Sequence, residues 1–372
     1  MTFMRVLHLT AGSDAGGVSR YIFDLCAAMQ AAGHEVAVAG EPGAWHDRFV
    51  KAPWPWIDSP LKGGPWTLMR AARGLRKYLA DHPVDVLHCH YRRTTLVARR
   101  LQRTFRVPVL YTLHLSHIPL GGPWGWLSNF GDHVHAPSSE GRQWLIDEAR
   151  VPAERITLIP HGIHAERFPV PDAAARQAAR AKLALAEEHV VALYLGRLED
   201  PKNESWLIDL AESSRQSLPG LRVLLAGEGP NENAVKDQIE RRGVGDRVRM
   251  LGPSEPLPLL HAADALLLPS AREGFSYACA EAMCAGVPVL RTRTSGTKEL
   301  IVEGTTGRSV AIERQAFLRA SVEFLSDKAA LRRMGDAAAE HIRRNFTFDR
   351  QLTRTVEMYQ SLIGCAQFFG RA

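Results

Sequence analysis

The chain has 372 residues, and at about 150 residues per domain this length predicts two domains. Hydrophobic residues make up 45% and charged residues 23%, as in soluble globular proteins, and no apolar run approaches the ~20 residues that span a bilayer, which excludes a transmembrane protein. The 46 Lys and Arg against 40 Asp and Glu give a net charge of +6, too modest an excess to favour a nucleic-acid-binding protein without a recognition module.

The N-terminal segment and the cysteines bear on location. Residues 1–10 lack the regions of a signal peptide, which predicts a cytoplasmic protein, with the cytoplasmic face of the membrane as an alternative. The five cysteines show no CxxC spacing, so neither a disulfide framework nor a zinc site is indicated, and we expect reduced core residues.

In the first half, apolar β-rich segments alternate with helix-period segments, the pattern of parallel βαβ units. A helix is predicted for VSRYIFDLCAAMQAAG, closed by Gly33 at the C′ position. Before it, Gly16 and Gly17 allow a close backbone approach, so an anion site at the helix N-terminus and a simple tight turn are both open. The predicted strands are MRVLHLT, HEVAVAG, DVLHCH, PVLYTLH, DHVHAP and RITLIP.

The basic excess lies in this half, where residues 1–165 hold 18 Lys and Arg against 13 Asp and Glu. Basic residues beside aromatic ones are typical of a surface that contacts an anionic membrane, and a solvated arginine face beside core tryptophans is the alternative. The residues concerned are Arg92, Arg93, Arg99, Arg100, Arg103 and Arg106 on one predicted helix, and Trp45, Trp54, Trp56, Trp66, Trp124, Trp126 and Trp144.

Histidines are also concentrated in the first half. His88 with His90, and His133 with His135, each fall on one face of a predicted strand. No third ligand has a recognisable spacing, so no metal site is predicted.

A domain boundary is predicted at residues 167–172, where two prolines interrupt both patterns. The predicted domains are residues 1–168 and 169–348, followed by a helix over residues 349–372 that returns to the first domain. In the second domain the predicted strands are VVALYLG, LRVLLAG, RVRMLG, DALLLP and PVLRTR.

Arg197 and Lys202 follow the first strand of the second domain, in GRLEDPKN. Two cations at the carboxyl end of a strand suit a diphosphate, Arg as a fork and Lys as a point charge. The alternative is a surface pair. No DxD motif is visible. If the ligand is a nucleotide sugar, these cations would therefore replace a metal in stabilising the negative charge of the leaving diphosphate.

Glu273 and Glu281 flank a Gly-Phe-Ser loop and the helix that it opens. Their carboxylates accept hydrogen bonds from hydroxyl groups. We expect the backbone N–H groups of Phe275 and Ser276 to form an anion site at the helix N-terminus, and Gly274 to allow a close approach of the ligand. Acceptors for hydroxyls beside donors for phosphate are typical of a nucleotide-sugar site.

Together GGVSR, GRLEDPK and EGFSYACAEAMCAG resemble the retaining GT-B glycosyltransferases of family four. The resemblance implies an α/β fold with two doubly wound Rossmann-like domains facing a cleft, the first binding the acceptor and the second the nucleotide sugar. It extends through IPHGI, AGEGP, TSGTKELI and the closing helix.

The resemblance also assigns roles. Glu281 would bind the nucleotide ribose and Glu273 the transferred sugar, while Arg197 and Lys202, with the N–H groups of Phe275 and Ser276, would stabilise the departing diphosphate. His114, ending the strand PVLYTLH, would touch the donor sugar, and Gly16 and Gly17 would approach the phosphates and the acceptor.

The implied reaction moves a hexose or N-acetylhexosamine from a UDP- or GDP-sugar to a glycan or lipid-linked acceptor, with retention and with no metal or other cofactor. The leaving phosphate would take the acceptor's proton; Glu273 as a covalent nucleophile is the less favoured route. A nucleotide-sugar epimerase or a phosphorylase of the same fold is the alternative. Three positions depart from the family pattern: HGIH puts His161 and His164 in place of polar residues, and Asn203 and Ser295 stand where glycines are common.

Overall fold

A computed structural model describes residues 3–14, 16–122 and 129–369, which fall into two compact units. The first unit comprises Met1–Pro160 with Asp349–Ala372, and the second comprises His161–Phe348. No helix among the described residues has the length and apolar character needed to cross a membrane.

The first unit is a parallel sheet with helices. Its strands are β1 Arg5–Gly12, β2 Glu35–Glu41, β3 Trp56–Asp58, β4 Val86–Cys89, β5 Val109–Thr112, β6 His133–Ala136 and β7 Ile156–Leu158. Its helices are α1 Gly17–Ala31, α2 His46–Val50, α3 Pro65–Asp81, α4 Arg92–Phe105 and α5 Ser139–Asp147, with a 3₁₀ turn at Ala153–Arg155. The strands lie in the order β3-β2-β1-β4-β5-β6-β7, all parallel.

The six predicted strands of this unit are present, because their continuous apolar runs suit strands that are buried on both faces. Helix α1 ends as predicted, with Gly33 at φ +85° in the left-handed region. Strand β3 was not predicted. It has three residues and lies at the sheet edge beside β2, in a segment whose tryptophans gave no clear periodicity.

The second unit has the same architecture. Its strands are β8 Val190–Leu195, β9 Leu221–Ala226, β10 Val248–Gly252, β11 Ala265–Leu268, β12 Val289–Thr292 and β13 Gly307–Val310, in the order β10-β9-β8-β11-β12-β13. Its helices are α6 Ala173–Lys182, α7 Ser205–Ser213, α8 Glu232–Arg241, α9 Pro256–Ala262, α10 Tyr277–Cys284, α11 Thr297–Leu300, α12 Arg314–Leu325 and α13 Lys328–Asn345, with a 3₁₀ turn at Ala165–Arg167. The edge strand β13 was not predicted, because two of its four residues are Arg308 and Ser309.

The last helix, α14 Phe348–Phe369, belongs to the first unit from Asp349 onward. The Tyr359 hydroxyl lies 2.6 Å from Nδ1 of His88 in β4, and Arg354 donates to the carbonyl oxygen of Leu158 at 2.8 Å. The predicted return of this helix to the first unit is thereby confirmed.

The division between the units falls after Pro160, ahead of the predicted connection at residues 167–172. Residues 161–168 join the second unit because Ile163 pairs with Thr347, and Phe168 is buried in that unit's core. Among the cysteines, Cys26, Cys89, Cys279 and Cys284 are buried free thiols as expected, whereas Cys365 is exposed.

Candidate active site

In the second unit, the loop after β8 is held in place by its neighbours. The Tyr194 hydroxyl donates to the carbonyl oxygen of Arg197 at 2.7 Å, and the N–H of Leu198 donates to the backbone carbonyl oxygen of Glu228 at 3.0 Å. A Cβ added to Gly227 would lie 1.8 Å from the carbonyl oxygen of Gly196, so the loops after β8 and β9 touch through their backbones. The cationic loop is therefore fixed at the carboxyl edge of the sheet.

Lys202 follows β8 and Glu273 follows β11, and because these parallel strands are neighbours the two side chains lie together. The Lys202 ammonium lies 2.9 Å from Oε1 of Glu273, and the side chains are 24% and 11% exposed. Ala271 donates its N–H to Pro201 at 2.7 Å, which joins the two loops through their backbones. A cation and a carboxylate thus stand at one half-buried point.

The backbone conformation of Asn203 shows why this residue can stand where glycine is common in the family. Its φ is +54°, a left-handed conformation in which glycine is favoured and asparagine is tolerated. Its side-chain amide also donates to the carbonyl oxygen of Pro269 at 2.9 Å. Asparagine therefore keeps the turn that places Lys202 and ties it to the end of β11.

Arg197 does not join this pair. Its side chain is 56% exposed and lies 3.0 Å from Oε2 of Glu199. In this structure it forms a surface ion pair, which was the alternative interpretation, while remaining on the same loop as Lys202.

The segment that opens α10 is a capped helix N-terminus. Ser276 is the N-cap, and its hydroxyl accepts from the N–H of Cys279 at 3.4 Å. Gly296, at φ +80°, lies so close that its Cβ would be 2.9 Å from the carbonyl oxygen of Gly274. Phe275 is buried, so the chain enters the helix between a packed ring and the Gly296 loop.

Glu281 lies in the second turn of α10 and is only 3% exposed. A carboxylate in such surroundings bonds strongly to hydroxyl groups, because the local dielectric is low. Its place on a rigid helix also fixes the direction of its oxygens.

One charged residue of this region was not predicted. Arg291 lies within β12 and is 1% exposed. It donates to Thr294 Oγ1 at 2.6 Å and to the carbonyl oxygen of Ser295 at 3.3 Å. The only sequence signal was an arginine inside the apolar run PVLRT.

In the first unit, Gly16 is the N-cap of α1 with φ +149°, and Gly17 is the first residue of the helix. Within the described part of the chain, and apart from its own chain neighbours, no heavy atom lies within 4 Å of a Cβ built on Gly16. Ala15, within the same motif, lies outside the described residues, as do Trp124 and Trp126.

His114 lies two residues beyond β5 and is part of a histidine cluster. Its Nε2 is 3.1 Å from Nδ1 of His90, and Nε2 of His90 is 3.0 Å from Nδ1 of His8. Burial lowers the pKa of His8 and of His114 to about 3. These imidazoles are therefore neutral near pH 7, and the bonds between them are N–H to N bonds.

A second chain of hydrogen bonds adjoins the first. His88 contacts Tyr359 through Nδ1 and Thr112 Oγ1 through Nε2, at 2.6 and 2.7 Å. Thr112 in turn lies 3.1 Å from Nδ1 of His135, whose Nε2 donates to the carbonyl oxygen of Ile159 at 2.6 Å. The pKa values of His88, His90 and His135 are lowered as well, chiefly by burial.

The sequence offered no third ligand for His88 and His90, but the fold supplies one. His8 in β1 is in register with His88 in β4, and ligand nitrogens of His8, His88 and His90 lie within 4.8 Å of one another. Both nitrogens of His88 are engaged by hydroxyls, and His8 bonds His90 directly. The cluster is thus built as a neutral hydrogen-bond network.

Comparison with known proteins gives consistent similarities in both halves. Residues 175–341 match the family model described as Glycosyl transferases group 1, and residues 15–167 match the one described as Glycosyltransferase Family 4. A glycogen synthase from Mycobacterium tuberculosis is 30% identical, over 92% of this chain and 91% of that protein.

Two further similarities bear on activity and fold. A D-inositol 3-phosphate glycosyltransferase from Corynebacterium glutamicum is 28% identical over 75% of this chain and 72% of that protein. The crystal structure of HepE from Anabaena with UDP and glucose superposes with a TM-score of 0.82, over 96% of this chain and all of that one. At 21% identity, this likeness shows a common fold.

Proposed function

The chain belongs to the group 1, family 4 glycosyltransferases and has their GT-B fold, and on this premise we propose that it transfers a hexose or N-acetylhexosamine from a UDP- or GDP-sugar to a hydroxyl of a glycan or lipid-linked acceptor. The anomeric configuration is retained, and the product belongs to cell-envelope polysaccharide or lipopolysaccharide. The observation that carries the proposal is the Lys202–Glu273 pair beside the N-terminus of α10. UDP and UDP-glucose bound to the similar HepE support the donor class.

The second unit provides the donor groups. Glu281 binds the ribose hydroxyls, and Glu273 uses its second oxygen for a hydroxyl of the transferred sugar while Oε1 stays with Lys202. The N–H groups of Phe275 and Ser276 and the small Gly274 receive the diphosphate. Arg197 leaves its ion pair with Glu199 and binds the same diphosphate.

The chemical step depends on charge stabilisation. As the bond between the anomeric carbon and the diphosphate oxygen breaks, negative charge grows on the phosphate, where Lys202 and Arg197 stabilise it. A phosphate oxygen accepts the proton of the acceptor hydroxyl, which then bonds the same face of the anomeric carbon. These cations perform the electrostatic task of a divalent metal, so the proposed reaction is metal-independent.

The first unit provides the acceptor side. We assign His114, with its neutral imidazole, to the donor sugar, and Gly16 and Gly17 at the start of α1 to the phosphates and the acceptor. A neutral ring suits a hydrogen bond to a hydroxyl, because it neither adds nor removes charge at the reacting centre.

An acceptor panel tests this function. The protein is incubated with UDP-glucose, UDP-N-acetylglucosamine or GDP-mannose, with and without glycan and glycolipid acceptors, in the presence of EDTA. We expect nucleoside diphosphate release that depends on acceptor and survives EDTA, and a product whose anomeric proton coupling matches that of the donor. Acceptor-independent isomerisation of the sugar would indicate an epimerase, and release of sugar 1-phosphate with inorganic phosphate would indicate a phosphorylase.

We also propose that helices α3 and α4 contact anionic lipid, at the cytoplasmic face of the membrane. Residues 65–106 hold ten Lys and Arg against two Asp, a local charge of +8 that exceeds the +6 of the whole chain. Seven of these cations are exposed and have no carboxylate at ion-pair distance among the described residues: Arg70, Arg73, Arg76, Lys77, Arg100, Arg103 and Arg106. Trp66, the second residue of α3, precedes the exposed cations of that helix and is itself 82% exposed. Each such cation contributes about 1 kcal/mol near an anionic surface.

Flotation with vesicles checks this contact. At low salt the protein should float with phosphatidylglycerol vesicles but not with phosphatidylcholine vesicles, and Arg70→Ala/Arg73→Ala/Lys77→Ala should abolish flotation. The matched control, Lys236→Ala/Arg241→Ala/Lys298→Ala, removes three exposed cations of the second unit and should float as wild type does. Absence of wild-type flotation at low salt, or tighter binding to nucleic acid than to vesicles, would overturn the lipid contact.

A further inference from the structure

Arg291 is a fully buried cation that the proposed chemistry does not use. Its side chain is 1% exposed within β12, among the apolar strands of the second unit. Arginine is seldom fully buried unless a carboxylate or another anion accompanies it, because removing its charge from water is costly. Its partners therefore decide what it does.

Among the described residues, the hydrogen-bond partners of the guanidinium are all neutral groups. Nη2 donates to Thr294 Oγ1 and to the Ser295 carbonyl oxygen, and Nη1 lies 3.9 Å from Sγ of Cys279. Burial raises the pKa of Cys279 to about 11, so that thiol stays protonated. Among the described residues no Asp or Glu oxygen lies within 4 Å of this guanidinium. At ion-pair distance, the described residues therefore supply no counter-charge for Arg291.

The guanidinium lies next to the proposed diphosphate site. Cys279 is in the first turn of α10, and residues 294 and 295 lead to Gly296, which packs against Gly274. Arg291 therefore lies beside the helix start that we propose receives the diphosphate, and beside the loop that packs against it. A positive charge enclosed by neutral groups acts over several ångströms in such surroundings, because water does not screen it.

We propose that Arg291 is a positioning residue for the nucleotide donor: it shapes the loop of residues 293–296, and its charge is balanced by the diphosphate when the donor binds. This inference rests on the proposed function. In the free protein the buried charge of Arg291 destabilises the fold. In the complex the diphosphate balances that charge and removes the destabilisation. A purely structural arginine would instead stabilise the free protein.

Arg291→Met separates the two roles, because methionine fills a similar volume without charge. We expect the melting temperature of the free protein to rise by about 2–4 °C, since replacing an unbalanced buried charge by an apolar side chain is stabilising. The affinity for UDP or GDP, whichever wild type binds more tightly in calorimetric titration, should fall about tenfold. Affinity for the corresponding nucleoside, which lacks phosphate, should not change.

Two variants control the result. Arg241→Met removes an exposed cation of α8, outside the loop of residues 293–296, and should change neither stability nor affinity. Arg291→Lys keeps the charge and should retain more diphosphate affinity than Arg291→Met. A lower melting temperature of Arg291→Met, or unchanged diphosphate affinity, would overturn the inference. If wild type itself bound no nucleoside diphosphate, the proposed function would fail instead.

Discussion

Lys202→Ala is expected to lower kcat by about 10²–10³-fold while changing donor KM by less than threefold. The diphosphate is already charged in the bound donor, but its leaving oxygen gains further negative charge only as the bond to the anomeric carbon breaks. A cation aimed at that oxygen therefore stabilises the transition state more than the ground state, and its loss is seen in turnover.

The surroundings of Lys202 explain why nothing else replaces it. Its ammonium is held at 2.9 Å from Glu273 by loops that are joined through Pro201 and Ala271. Arg197, the other cation of the loop, is 56% exposed and paired with Glu199, so it lies in more strongly screening surroundings.

Two variants bracket this prediction in steady-state assays. Glu281→Ala should weaken donor binding ten- to a hundredfold, because a hydrogen bond to a charged group contributes about 1.5–3 kcal/mol. Lys236→Ala removes an exposed lysine paired with Glu232 on α8 and should have wild-type kinetics. Full turnover of Lys202→Ala at saturating donor would remove Lys202 from the chemistry.

The first unit is expected to unfold in mild acid, with a midpoint between about pH 4 and 6. Its five clustered histidines have pKa values lowered by burial, to about 3 for His8 and His114 and about 4 for His135, and well below the usual value for His88 and His90. In the unfolded chain the same side chains titrate near 6.5.

The sign follows from these pKa values. Above about pH 6.5 the rings are neutral in both states, and the free energy of unfolding does not depend on them. Below that pH the unfolded chain binds protons that the folded unit does not, so stability falls by about 1.4 kcal/mol per pH unit for each histidine until its folded pKa is reached. Five together give about 7 kcal/mol per pH unit, against a typical domain stability of about 5–15 kcal/mol.

Tryptophan fluorescence measures this transition, because seven of the eight tryptophans lie within residues 1–165 and only Trp206 belongs to the second half. Urea titrations at several pH values should show the steep slope. His8→Leu should reduce it by about one histidine's share, whereas His82→Gln, at an exposed position, should leave it unchanged. A free energy of unfolding that is flat from pH 7 to 4.5 would contradict the prediction.

Much of the fold followed from the sequence, because strands buried on both faces read as unbroken apolar runs. Segments such as HEVAVAG and LRVLLAG favour strands over helices because they are short and contain β-branched residues. The edge strands β7 and β10 were predicted, whereas the edge strands β3 and β13 were not, since they have only three and four residues and lack an apolar run.

For the site, the pairing of Lys202 with Glu273 was predictable from one rule, that the carboxyl ends of parallel strands meet at one edge. The histidine network was not, because it depends on strand order. Only once β1 lies beside β4 does His8 meet His88, and the sequence does not state which strands are neighbours. Arg291 was missed because local pattern does not reveal whether a cation within a strand has a counter-charge.

The contact between Tyr359 and His88 also bears on the order in which the two units are completed during synthesis of the chain. Residues 161–348 are continuous in the chain, so the second unit is complete as soon as they have been synthesised. The first unit contains residues 1–160 but lacks Tyr359 and the rest of α14 until nearly two hundred further residues have followed. Although most of it is made first, the histidine-bearing unit is therefore the second to have all of its residues synthesised, and until then the part of its core that α14 covers has no partner.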